Sequence, residues 1–315
     1  MSPPPFPPAC DIREVGPRDG LQNEAPVPVS DRVRLIDALS RTGLRRIEAA
    51  AFVHPEAVPA MAGAEEVLAR ITRRPGVSYS ALVPNRQGAA RALAAGADEL
   101  EAVVSASEAH NRRNLRRSVT ETVAEIAAVV SLAGKAGRPV GAGVATAFGC
   151  PYEGDVDPSR VAGLARQLLD LGAQEVFFGD TTGMATPRRI DDLLDTLETV
   201  GIDVGSVRLH LHDTRGTGLA NVYAALRRGV SRFDASIGGL GGCPYAPGAS
   251  GNVCTEDLVH MLEDLGVDTG VDLDRLIEAA HLAERIVGRR LPGHVMRAGR
   301  SSSWSSSSSA SASTG

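Results

Sequence analysis

Eight short runs rich in β-forming residues, each followed by a longer Ala/Leu/Arg-rich stretch of helical period, constrain the fold more than any other feature of this chain. The runs are "DIREVG" (11–16), "RRIEAAAF" (45–52), "SYSALV" (78–83), "LEAVVSAS" (100–107), "PVGAGVATAF" (139–148), "EVFFGD" (175–180), "VRLHLHD" (207–213) and "RFDASIGG" (232–239). Strict strand–helix alternation repeated eight times predicts a (β/α)8 TIM barrel. A doubly wound open sheet is the competing arrangement, but no G-x-G-x-x-G opens a helix after the first run. Two segments are expected outside the barrel domain of residues 10–297. They are the Pro-rich residues 1–9 and the Ser-rich end at 298–315, which holds the lone Trp304; both are too polar or too repetitive to bury a core.

Charge and cysteine content narrow the function classes. A formal net charge of −5, with arginines scattered among acids, offers no basic stripe for phosphates, so nucleic acid is not an expected partner. No window approaches 18 uninterrupted apolar residues and the first ten residues lack a basic, then apolar, leader pattern. The expectation is a cytoplasmic protein without a membrane span. Cys10, Cys150, Cys243 and Cys254 show neither zinc-site spacing nor disulfide density, so reduced thiols are expected.

In a barrel of this kind the chemistry sits where strands end, and the polar residues collect there. His210 and His212 in "HLHD" are two apart on the seventh strand, so both imidazoles project to one face. Asp19 follows Arg18 in "GPRDG" after the first strand, and Asn252 follows the eighth. Each alone reads as structural: a satisfied core histidine pair, a turn aspartate, a loop asparagine. Together they place a carboxylate, two imidazoles and an amide carbonyl on neighbouring strands, a set suited to a divalent metal with open positions. The mixed N/O donors without thiolate favour Mg2+ or Mn2+ over structural zinc. Glu48 and Asp180, at the ends of strands two and six, could orient ligands or relay protons, or could simply pair with Arg18. Thr255 in "TEDL" reads as a helix cap.

These segments also resemble a known family. "EVGPRDGLQNE", "IEAAAFVHP", "FGCPYEG", "GDTTGMATP", "HLHDTRGTGLAN" and "GGLGGCPYAPGASGNV" occur in the order found in the hydroxymethylglutaryl-CoA lyase family, across residues 10–290. The resemblance implies a metal-dependent carbon–carbon lyase acting on an acyl-CoA substrate by retro-Claisen cleavage of 3-hydroxy-3-methylglutaryl-CoA to acetyl-CoA and acetoacetate. It would place the chain in leucine degradation and ketone-body formation, as a homo-oligomer, expected to be a dimer. It assigns the metal to Asp19, His210, His212 and Asn252. Arg18 would hold negative charge on the thioester oxygen, and His210, Glu48 or Asp180 would take the hydroxyl proton. Cys243, set among the six glycines of residues 238–253, would protonate the departing carbon, since a thiol of pKa near ~8.5 is a fit acid for that step.

Departures from the family fall at the acyl end. Ala51 and Phe177 stand where serines are common, Arg215 and Thr217 follow the HxH strand in place of Tyr and Gln, and Pro247 replaces a Lys or Gln. Another 3-hydroxyacyl-CoA is therefore the alternative substrate. A condensing synthase of the isopropylmalate type, or a barrel that binds without catalysis, fits less well because the thiol loop and Arg18 are both retained.

Overall fold

The computed structural model describes residues 6–242 and 251–300. Eight parallel strands close into a barrel in sequence order. They are β1 (Asp11–Glu14), β2 (Arg46–Ala51), β3 (Ser78–Leu82), β4 (Glu99–Ser105), β5 (Val140–Ala145), β6 (Glu175–Gly179), β7 (Arg208–His210) and β8 (Arg232–Ala235). Each coincides with one of the eight runs seen in the sequence. The expected (β/α)8 TIM barrel is the observed fold.

Helices wrap the outside, and one shows how the sequence specifies them. Thr186 accepts the Arg189 N–H through Oγ1 at 3.3 Å and Pro187 occupies the first turn, so the helix Pro187–Thr199 starts where its backbone donors have a partner. Ile190, Leu193, Leu194 and Leu197 then form the one apolar stripe, which is buried.

The barrel interior is unusual in being ionic. Arg13 on β1 holds both oxygens of Asp234 on β8, Nε to Oδ1 at 2.9 Å and Nη2 to Oδ2 at 2.8 Å, and also contacts Glu101 on β4. Arg208 on β7 lies against Glu175 on β6 and within 3.7 Å of Glu101 and Asp234. Arg46 reaches Glu175 at 3.0 Å and touches Glu99. Gly141 makes room for this layer, because a Cβ there would collide with the Glu101 carboxylate.

Order extends further at both ends than the sequence suggests. Phe6, within the Pro-rich end expected outside the barrel, packs edge-on against Tyr223 at 5.7 Å, and Ala9 bridges Asp268. At the other end the helix Val295–Ala298 crosses residue 297, and Arg300 holds Glu263 at 2.6 Å. Trp304 and the serine run lie outside the described residues. Cys10, Cys150 and Cys254 are free and buried. No helix among the described residues is long and apolar enough to cross a membrane.

Removing one member of a buried ionic layer strands its partners. Glu101 is fully buried, so Glu101→Leu should cost about 3–5 kcal/mol. The expected readout is a lower urea midpoint at unchanged slope.

Candidate metal centre

Two local devices bring the polar residues together at the C-terminal mouth. After β1 the chain makes a single wide turn, Gly16–Gly20, in which Gly20 N–H reaches Val15 O at 3.2 Å and Leu21 N–H reaches Gly16 O at 3.0 Å. Gly20 is required there, since a Cβ would sit 2.8 Å from Leu240 Cβ and Ser236 Oγ. Beyond β7, residues 211–213 pair with 251–253 through Val253 N–H to Leu211 O (3.0 Å) and Asp213 N–H to Gly251 O (2.7 Å). His212 thus lies just past the strand, in a bridge directly opposite Asn252.

Asp19, His210 and His212 each offer a ligand atom, all within 4.8 Å of one another. Asp19 Oδ2 lies 3.7 Å from His210 Nε2 and accepts Asn252 Nδ2 at 2.8 Å. Burial opposes the Asp19 charge, but Arg18, the two histidines and the Asn252 amide outweigh it and bring its pKa down to about 2. Burial and the neighbouring His210 push His212 down to about 4, so its imidazole is neutral, and its buried Nδ1 has no hydrogen-bond partner. An ionised carboxylate beside a neutral imidazole with an orphaned nitrogen fits a divalent cation.

Asp234, which sequence reasoning passed over, controls this centre. Its Oδ2 lies 3.1 Å from His210 Nδ1. Although burial works against its charge, Arg13, the His210 bond and Arg208 hold its carboxyl far below the usual carboxylate range. Burial works against charge on His210, but Asp234 and Asp19 raise its pKa above the ordinary imidazole value; Nδ1 keeps its proton toward Asp234, and Nε2, facing Asp19, is the nitrogen a cation would claim. A charged residue at an inward position of "RFDAS" was the available signal.

The other candidates divide into groups. Arg18 donates from Nε and Nη2 to Glu48 Oε2 (2.8 and 2.6 Å) and from Nη1 to Asp19 Oδ1 (2.6 Å), so Glu48 and Asp19 together aim the guanidinium. Glu48 Oε1 is buried and has no partner. Asp180 lies beside the two histidines, its N–H bonded to His210 O at 2.8 Å; its Oδ1 accepts the N–H groups of Met184 and Ala185 at 2.8 and 2.9 Å, closing its own turn, while burial raises its pKa to about 7 against those bonds. Arg215 braces that turn through the Thr182 and Gly183 carbonyls at 2.9 and 2.7 Å. Cys243 and Pro247 lie outside the described residues. Gly241 and Gly251, which flank them, approach so closely that a Cβ on Gly251 would collide with the Gly241 carbonyl beside Asn252.

The root of that loop is held by two buried carboxyls that the sequence did not single out. Glu14 Oε1 accepts the N–H groups of Gly16 (2.7 Å) and Ile237 (2.8 Å), and its Oε2 accepts the Thr255 hydroxyl at 2.6 Å. Thr255 is therefore not the cap of its helix; Cys254 occupies that position without a side-chain bond. Glu256 Oε2 accepts the Gly238 N–H at 3.0 Å.

By class this is a (β/α)8 barrel with a candidate divalent-metal centre at the strand C-terminal ends. The HMGL-like family model matches residues 9–283. The hydroxymethylglutaryl-CoA lyase YngG of Bacillus subtilis is 45% identical over 299 residues, covering 95% of this chain and 100% of that protein. The crystal structure of the Bacillus subtilis HMG-CoA lyase superposes with a TM-score of 0.92 at 45% identity, over 93% of this chain and 99% of that one. An HMG-CoA lyase from Acinetobacter baumannii, in complex with coenzyme A and 3-methylmalate, superposes with a TM-score of 0.88 at 43% identity, over 93% and 96% of the two chains. The chain belongs to the HMGL-like family.

Burial raises Glu256 from 4.5 to about 7, against the Gly238 hydrogen bond. The folded state therefore binds more protons between those values, and this group's contribution to stability falls as pH rises through them. The stability difference between Glu256→Gln and wild type should move in the variant's favour by about 2–3 kcal/mol from pH 5 to pH 8. Chemical denaturation at the two pH values checks it; a constant difference would mean that Glu256 is ionised in the fold.

Proposed function

We propose that this chain is a carbon–carbon lyase that cleaves 3-hydroxy-3-methylglutaryl-CoA to acetyl-CoA and acetoacetate, with Mg2+ or Mn2+ held by Asp19, His210, His212 and Asn252. The observation that carries the reading is the convergence of three ligand atoms within 4.8 Å, one of them on a histidine with an orphaned nitrogen, in a chain similar over most of its length to hydroxymethylglutaryl-CoA lyases. When bound, the cation lowers the pKa of the substrate hydroxyl and stabilises its charge.

The bookkeeping is that of a retro-Claisen cleavage. The C3 hydroxyl loses its proton, C3–O becomes a carbonyl, the C2–C3 bond breaks, and its electron pair passes to C2 as a thioester enolate that is then protonated. Arg18, fixed by Glu48 and Asp19, holds the negative charge on the thioester oxygen. Of the three candidates for the proton acceptor, His210, Glu48 and Asp180, the carboxylates fit best. Were Nε2 to hold the cation while Nδ1 stays bonded to Asp234, His210 would have no lone pair left for the proton. Glu48 has a partner-free Oε1 and Asp180 a pKa of about 7, and one of these takes it. Cys243, two residues along the chain from Gly241, supplies the proton to C2.

Release of acetyl-CoA and acetoacetate from 3-hydroxy-3-methylglutaryl-CoA, followed with added Mg2+ or Mn2+, tests the proposal. Activity should vanish in excess chelator and return with either cation, and His212→Ala should bind Mn2+ at least 10-fold more weakly. Full turnover in chelator would refute the metal assignment, and no turnover under any condition would refute the lyase reading.

A further inference from the structure

The mouth of the barrel is chemically lopsided. Arg18, Asp19, Glu48, His210 and His212 gather around β1, β2 and β7. The opposite wall is lined by Leu82 on β3, Val103 on β4 and Ala145 on β5, with Ser105, in register with Ala145, spending its hydroxyl on Thr146 at 2.8 Å and on the Ser107 N–H. Leu82, Val103 and Ala145 are each partly exposed although the barrel is closed and wrapped by helices. In β2 a register shift between Glu48 and Ala50 turns Ala51 into line with Leu82. Phe177 on β6 completes this wall.

The strand register places Phe177 one inward step below the mouth. It pairs with Gly143 on one side and Arg208 on the other, and its ring lies over the space a side chain at 143 would fill, since a Cβ on Gly143 would collide with it. The Arg13 guanidinium is 5.0 Å from the ring centroid, so the ring covers the ionic layer. The next inward position on β6 is Gly179, which is in register with His210. A Cβ at Gly179 would meet only ordinary contacts, 3.5 Å to Thr181 Oγ1 and 3.6 Å to Ala145 Cα. The Phe177 ring below and Gly179 and Ala145 beside it therefore line the mouth at the level of His210.

We infer that Phe177 and Gly179 determine specificity by forming the floor and side of the pocket that receives the alkyl branch at C3 of the substrate. The inference rests on the lyase reading above. C3 carries the hydroxyl, the thioester arm, a carboxymethyl arm and the alkyl branch; with the hydroxyl on the polar half of the mouth, the branch is the one apolar substituent that the apolar half can match. Ring depth and the absence of a Cβ at 179 then set how large a branch fits. Apolar pockets discriminate by size at the level of one or a few methylenes, which corresponds to roughly 10–200-fold in kcat/KM.

The test uses three thioesters assayed for acetyl-CoA release: 3-hydroxyglutaryl-CoA without a branch, its 3-methyl form, and a 3-propyl form. Phe177→Leu keeps an apolar cover over Arg13 while shortening the side chain. It should raise the propyl-to-methyl ratio of kcat/KM by roughly 10-fold or more. Gly179→Ala adds one methyl without a clash and should lower the methyl-to-unbranched ratio by a similar factor. A residue with a purely structural role would depress all three substrates together and leave the ratios in place. Both ratios within about 3-fold of wild type in variants of wild-type thermal stability would overturn the inference. Should Phe177→Leu fail to fold, Phe177→Met and the Gly179→Ala ratio decide it. Wild type that cleaves none of the three would instead overturn the lyase reading.

Discussion

Asp234 is the contact on which both halves of the structure depend. Below, it accepts two bonds from Arg13 and so closes β1 against β8; above, it fixes His210 through Nδ1. The same carboxylate thus belongs to the ionic layer that fills the barrel and to the shell around the metal centre. A buried ionic layer is a poor source of net stability, because desolvation offsets most of the attraction. What it does supply is intolerance of misregistry: Arg13, Glu101, Glu175, Arg208 and Asp234 come from five different strands, and a one-residue slip of any strand would turn its charge outward. Register, and with it the placement of every residue at the mouth, follows from that intolerance.

From this the electrostatics of the centre follow in order. Because Asp234 stays ionised, His210 keeps a proton on Nδ1 and turns Nε2 toward Asp19. Arg18 is shared by Glu48 and Asp19, so one guanidinium faces both carboxyl groups and, against burial, helps hold Asp19 ionised. His212, with no carboxylate bonded to it, remains neutral. Leu82, Val103 and Ala145 opposite carry no charge, and a mouth with a charged side and an apolar side suits a substrate with a polar reacting centre and an apolar branch.

The barrel and much of the centre were legible in the sequence because both rest on periodicity. Two-residue spacing put His210 and His212 on one face, and eight alternations made a closed sheet the simplest solution. The residues that escaped reading are those whose partners are distant in sequence. Asp234 meets Arg13 across 221 positions and Glu14 meets Thr255 across 241, and no local pattern marks either pair. Thr255 was misassigned for the same reason: Thr-x-Asp resembles a cap, but a buried carboxylate from the first strand had the stronger claim on the hydroxyl. Asp180 sits at the right height yet spends an oxygen on its own turn, a use that strand-end position alone does not reveal. The wide turn at Gly16–Gly20 also has no periodic signature; its need for Gly20 comes from Leu240 and Ser236 packed against it.

The central claim is that the fold assembles one divalent-metal centre from Asp19, His210, His212 and Asn252, oriented through Asp234. Anomalous diffraction from crystals grown with Mn2+ examines it directly. The account predicts a single strong peak per chain within bonding distance of Asp19, His210 and His212, with Asp234 bonded to His210 but not to the ion. A peak elsewhere in the barrel, or a bare site at saturating Mn2+, would contradict it.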